Sequence, residues 1–177
     1  MIMRDVDLQK LMQGLYESLD YYAKIEPVNL NYEEEYHEIA IDPDGKTRYL
    51  LEEREQNLKG IAEITAFLDK CSPSKILDIG CGPGWLLSYL DNKWDKYGVE
   101  VSKLASNYAS KHGKIFNGTL EEFKEKDFNI IVMNHVIEHI KDPVKILKKI
   151  KTMLKEDGVF IIGTPDFDSG AARRYGN

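Results

Sequence analysis

Lys75-Ile76-Leu77-Asp78-Ile79-Gly80-Cys81-Gly82-Pro83-Gly84 reads as a buried strand running straight into a glycine-dense turn. The apolar segment 75–79 is short and bounded by turn residues, as a parallel-sheet strand requires. Helical spacing follows over residues 84–90, and the next apolar run, Tyr97-Gly98-Val99-Glu100, ends on an acid. Strand, glycine turn, helix, strand and terminal acid form one unit of a doubly wound sheet. In such a sheet that acid lies beside the first turn and accepts hydrogen bonds from a ribose diol. Glycines in the turn let the backbone approach a ligand that a Cβ would hold off. The unit therefore predicts a nucleoside site.

The glycine spacing narrows the ligand. From Asp78 the pattern is Asp-x-Gly-x-Gly-x-Gly through Gly80, Gly82 and Gly84. The dinucleotide fingerprint is Gly-x-Gly-x-x-Gly, whose third glycine packs helix on strand beneath a pyrophosphate. Here the third glycine comes one residue early, and the Asp78 carboxylate would repel a pyrophosphate. A carboxylate in the turn suits a cation instead. S-adenosylmethionine carries an ammonium and a sulfonium, and its ribose would meet Glu100. Asp78, Gly80, Cys81, Gly82, Gly84 and Glu100 resemble the first two motifs of the Rossmann-like S-adenosylmethionine-dependent methyltransferases. The resemblance implies an α/β fold of three layers around a mostly parallel sheet, with S-adenosylmethionine as cofactor and S-adenosylhomocysteine as product.

The 177 residues, 42% hydrophobic and 31% charged, are enough for one domain with a real core. A net charge of −6 argues against a nucleic-acid backbone as partner, because such proteins present a basic face. The lysines of 141–155 fall at helical spacing and read as a solvated helix face. Cys71 and Cys81 make no disulfide framework, and Cys81 is expected as a reduced thiol in the ligand turn. The start, Met1-Ile2-Met3-Arg4-Asp5, is charged and lacks the apolar core of a secretory signal. No run approaches the ~18 apolar residues of a membrane helix. A cytoplasmic protein without membrane attachment is the expectation.

Residues 1–50 read as one region and 51–177 as the cofactor-binding domain. Within the first, 4–22 carries an amphipathic helix pattern. Residues 23–50 are acidic and tyrosine-rich, with a turn at Asp42-Pro43-Asp44-Gly45. They read as a cap or lid, in which Tyr21, Tyr22, Tyr32 and Tyr36 either roof a pocket or pack among themselves. In the second region, helices are expected over 51–69, from a Ser102 cap to about 112, and over 143–154 after Pro143. Further strands are expected over 115–117, 129–133 and, after an Asp157-Gly158 turn, 159–162. The resemblance implies seven strands, the last two an edge hairpin. Only five are legible, so the fold is expected to be truncated after strand five, with C-terminal strands missing.

A second constellation, His135-Val136-Ile137-Glu138-His139, matches the inverted zinc-protease pattern taken alone. That site needs a third protein ligand, and neither His37 nor His112 stands in a suitable helical context. Position favours another reading: His135 follows the strand 129–133, at the sheet edge where ligands bind. The whole run from Phe128 to Pro143 resembles the fourth motif and following helix of the type 11 and type 12 small-molecule methyltransferases. The resemblance implies that Asn134 and His135 border the reactive methyl, with His135 the first and His139 the second choice of base. Alignment without any base is the competing view. The family's adenine-binding acid after strand three falls on Gly118, so Thr119 and Leu120 are expected to hold adenine instead.

These readings imply methyl transfer to O or N, less readily C, of a small-molecule acceptor. Two alternatives belong to other classes. A nucleotide-sugar or NAD-dependent oxidoreductase conflicts with the glycine spacing and Asp78. A non-catalytic cofactor-binding module would bind without turnover. Nucleic-acid amino methylation lacks its Asn/Asp-Pro-Pro-Tyr/Phe signature, since the chain reads Asn134-His135-Val136-Ile137 there.

Overall fold

A computed structural model describes residues 2–3, 40–41, 47–48 and 54–164. The described strands are β1 (Ile2–Met3), β2 (Ala40–Ile41), β3 (Thr47–Arg48), β4 (Lys75–Ile79), β5 (Asp95–Glu100), β6 (Lys114–Asn117), β7 (Phe128–Asn134) and β8 (Leu154–Gly163). The described helices are α1 (Arg54–Gly60), α2 (Ala62–Leu68), α3 (Trp85–Tyr89), α4 (Lys103–Ala109) and α5 (Pro143–Met153), with a 3₁₀ turn at Ile137–His139. No described helix is long and apolar enough to cross a membrane.

Six strands form one sheet in the order β1-β8-β7-β4-β5-β6. From β4 to β8 all pairings are parallel. The chain starts at β4, moves outward through β5 and β6, then crosses back to β7 and β8. Strand order therefore reverses between β4 and β7, and the crevice above their carboxyl ends is the ligand position of such sheets. β4 ends on the glycine turn and β7 ends on Asn134 and His135, so the fold brings the two sequence constellations together.

Alternation along the strands builds a core on each face. Leu77, Ile131, Met133 and Phe160 meet Ile146, Leu147, Ile150 and Met153 of α5. Ile76, Ile130, Val132 and Ile161 meet Ile64 and Leu68 of α2 and Leu86 beside them. Burial of each such side chain contributes about 1.5–3 kcal/mol. Ser102 caps α4 by accepting from the Ala105 amide at 3.3 Å. Asp142 caps α5 in the same way through the Lys145 amide at 3.0 Å, and Pro143 occupies the first turn.

Three features differ from the expectations. The helix expected over 51–69 is broken at Ile61, directly after Gly60, where the lowest helix propensity in that segment falls. β8 begins at Leu154, before the Asp157-Gly158 turn: Leu154 pairs with Phe128, and the pairing resumes at Val159–Ile130, so 155–158 bulges from an already started strand. Ile2–Met3 adds an antiparallel strand against Phe160 and Ile161, which the sequence did not announce. β2 and β3 pair antiparallel, with Ala40 opposite Arg48 and Ile41 opposite Thr47, while the turn expected at 42–45 lies outside the described residues. The helix over 4–22, the four cap tyrosines and residues 165–177 lie outside the described residues.

Candidate active site

The turn after β4 hangs on β5. The Val99 carbonyl accepts from Gly80 N–H at 2.8 Å and from Cys81 N–H at 3.2 Å. Gly82 has φ +50°, a left-handed conformation costly to other residues, and a Cβ there would meet nothing within 4 Å. Its bare backbone faces open space, the cradle a ligand needs. Gly84, at φ +80°, serves packing instead: a Cβ there would stand 2.9 Å from Ala109 Cβ, so the glycine lets α4 close against the turn.

Glu100 is the electrostatic centre of this turn. It is 6% exposed, and each carboxylate oxygen accepts one amide: Oε2 from Gly82 at 2.8 Å, Oε1 from Ser102 at 2.8 Å. Each oxygen keeps a lone pair for a further donor. Asn117 fastens the neighbouring backbone by donating to the Glu100 and Val101 carbonyls. Asp78 is 6% exposed and does not line the cavity. Burial, and then the charge of Glu100, push its carboxyl up to about 8. Cys81 is also turned inward, packed with Leu87 and Ala109. Burial first, then Asp78 and Glu100, raise its thiol pKa, so it stays protonated.

A cavity of about 400 Å³ opens above the switch between β4 and β7. Gly80, Gly82 and Glu100 line one side. Thr119 and Leu120 line the next, but the Thr119 amide and hydroxyl both donate to Glu122 Oε2, at 3.0 and 2.9 Å. The Thr119 backbone donor expected for adenine is therefore engaged, and Leu120 offers an apolar surface. His135 and His139 close the far side with Val136 and Ile140.

His135 stands out by its backbone, with φ +53°. Its amide donates to the Gly163 carbonyl at 2.9 Å, and its side chain is 58% exposed. Nδ1 lies 3.6 Å from Oε1 of Glu138, whose side chain is 8% exposed. Asn134 is not on the cavity wall: its side-chain carbonyl turns to the neighbouring strand, in the space that a Cβ on Gly163 would take. The sequence readings thus converge for Gly80, Gly82, Glu100, Thr119, Leu120, His135 and His139. Asp78, Cys81, Gly84 and Asn134 support the walls from behind.

Of the lining residues that were not anticipated, three bear on the chemistry. Val101 is 50% exposed beside the cavity, and its place directly after Glu100 was the available signal. Glu121 brings a carboxylate to the wall where the family acid falls on Gly118. Lys141 lines the cavity because it precedes α5 rather than lying on its solvated face. Lys149 departs from that face too, donating to the Glu121 and Phe123 carbonyls at 2.6 and 2.9 Å.

Comparison with known proteins agrees with this geometry. A family model described as a methyltransferase domain matches residues 49–177. An uncharacterized protein of Methanocaldococcus jannaschii is 32% identical over 117 residues, 64% of this chain and 56% of that protein. A ubiquinone biosynthesis O-methyltransferase of Actinobacillus pleuropneumoniae is 29% identical over 106 residues, 51% of this chain and 45% of that enzyme. The chain thus spans about half the length of these curated relatives. The solved structure of an S-adenosylmethionine-dependent methyltransferase of Thermotoga maritima, a possible histamine N-methyltransferase, superposes with TM-score 0.57 at 29% identity, covering 68% of this chain and 58% of that one. Sheet order, glycine turn and family match converge, and the chain belongs to the methyltransferase domain family, the Rossmann-like class that depends on S-adenosylmethionine.

Proposed function

We propose that this chain carries the cofactor site and the reactive edge of a methyltransferase acting on O or N of a small-molecule acceptor. The observation that carries the reading is the pairing of Gly82, open to the cavity, with Glu100, buried beside it with lone pairs to spare. When bound there, S-adenosylmethionine supplies an electrophilic methyl group. Glu100 accepts from the ribose hydroxyls. Gly80 and Gly82 present backbone to the amino-acid part, while the Asp78 carboxyl beneath the turn favours its positive charge. Val101 and Leu120 provide apolar surface for adenine, and Glu121 offers a carboxylate to its amine.

His135 receives the acceptor's proton, and His139 is the second candidate on the same wall. The rest of the work is alignment, which supplies most of the rate in displacements of this kind. The relative named a ubiquinone biosynthesis O-methyltransferase and the neighbour described as a possible histamine N-methyltransferase support testing both acceptor chemistries. Methyl-labelled S-adenosylmethionine, incubated with a panel of catechols and a panel of primary amines, tests the reading. Label entering one panel, and lost in His135→Ala while cofactor binding persists, is the expected result. Undiminished transfer by His135→Ala would overturn the role of His135.

A further inference from the structure

We infer that Glu138 is a positioning residue: its carboxylate holds the His135 imidazole with Nδ1 protonated, leaving Nε2 bare toward the cavity. The inference rests on the reading of His135 as the proton acceptor. Four observations on one turn of chain carry it. The His135 imidazole is 58% exposed at the cavity, whereas the Glu138 side chain beneath it is 8% exposed. Oε1 of Glu138 lies 3.6 Å from Nδ1, the ring nitrogen opposite Nε2. Oε2 is buried and has no hydrogen-bond partner among the described residues. His135 itself is held at φ +53° by the Gly163 carbonyl, a strained conformation that sets the ring above the carboxylate.

A carboxylate buried without a full set of partners is costly, and the nearest group able to become its counter-ion is the imidazole. A separation of 3.6 Å is longer than a hydrogen bond, and such pairs tighten when charge develops on the ring. The chemistry then balances. The acceptor's O–H or N–H bond breaks and its proton passes to Nε2. Its electron pair forms the bond to the methyl carbon, and the pair of the broken C–S bond stays on sulfur. The imidazole becomes imidazolium, and the Glu138 carboxyl group beside Nδ1–H stabilises the cation without taking its proton.

The tautomer is directly measurable in the 177-residue chain, without an acceptor. Long-range ¹H–¹⁵N spectra distinguish Nδ1–H from Nε2–H in a neutral imidazole. His135→Gln assigns the signals, and the pH is kept well above the ordinary histidine range. The parent is expected to hold His135 mainly as Nδ1–H. Glu138→Gln, which removes the charge at constant shape, should lower the Nδ1–H to Nε2–H ratio by roughly tenfold. Glu138→Asp, which keeps the charge, should restore a ratio nearer the parent. A majority of Nε2–H in the parent, or an unchanged ratio in folded Glu138→Gln, would overturn the proposal. Calorimetric binding of S-adenosylmethionine to the same samples separates the two levels. Absence of binding by the parent defeats the underlying reading, whereas intact binding with the wrong tautomer defeats the Glu138 role alone.

Discussion

Asp78 is the buried carboxyl at the end of the strand that carries the glycine turn. Its carboxyl, ordinarily at 3.8, is pushed up to about 8, so the native state holds a proton that the unfolded chain has released. Its contribution to stability is therefore present at acid pH, declines as pH rises from about 4, and is fully lost above about 8. Asp78→Asn removes this titration. Thermal melts should show a smaller fall in Tm between roughly pH 6 and pH 9 for the variant than for the parent. A cationic ligand prefers the ionised carboxylate, so S-adenosylmethionine should bind more tightly as pH approaches 8 and should release protons on binding. Calorimetry in buffers of different ionisation enthalpy measures that release, and its absence below pH 8 contradicts the electrostatic account. Glu100→Ala should weaken cofactor binding by about 1–3 kcal/mol, read from the same titration, and it also strands the Gly82 and Ser102 amides. Glu100 was legible because an acid at a strand tip has few structural uses. The burial of Asp78 was less so: its position shares a face with Ile76, which packs in the core with Ile64 and Leu68.

At the scale of elements, the turn separates two kinds of glycine that look alike in sequence. Gly84 abuts Ala109, whereas Gly82 abuts nothing. Gly84→Ala should cost about 1–3 kcal/mol in urea unfolding, from overpacking plus a left-handed backbone. Gly82→Ala should cost about 1 kcal/mol from the backbone alone, and its larger effect should fall on cofactor binding. Equal stability losses with unchanged binding would contradict this division. Most strands and helices were legible because their apolar period and caps agree, as at Ser102 and Pro143. The break at Ile61 and the early start of β8 at Leu154 were not. The first depends on how α1 packs on α3, with Arg54 donating to Ser88 at 2.9 Å. The second depends on Leu154 finding Phe128 across the sheet, a contact that no local pattern encodes.

The described residues centre on a mostly parallel sheet whose switch point joins two distant constellations, and that is why motifs more than fifty positions apart form one cavity. The doubly wound arrangement was readable from alternating strands and helices. The Ile2–Met3 edge strand was not, because two residues carry no period. Native-state hydrogen exchange should be slowest in β4 and β7, which lie between other strands with Ile76, Leu77, Ile131 and Val132 fully buried. Added S-adenosylmethionine should slow exchange at Gly82 and around Ser102 and Leu120, while leaving the groove beside Lys148 and Thr152 unchanged. The central claim, that the crevice above β4 and β7 is an S-adenosylmethionine site, is tested most directly by calorimetric titration of the chain with S-adenosylmethionine, S-adenosylhomocysteine and NAD. The account predicts saturable binding of the first two, weakened in Glu100→Ala, and no binding of NAD. Binding of NAD in their place, or binding of S-adenosylmethionine indifferent to Glu100→Ala, would contradict it.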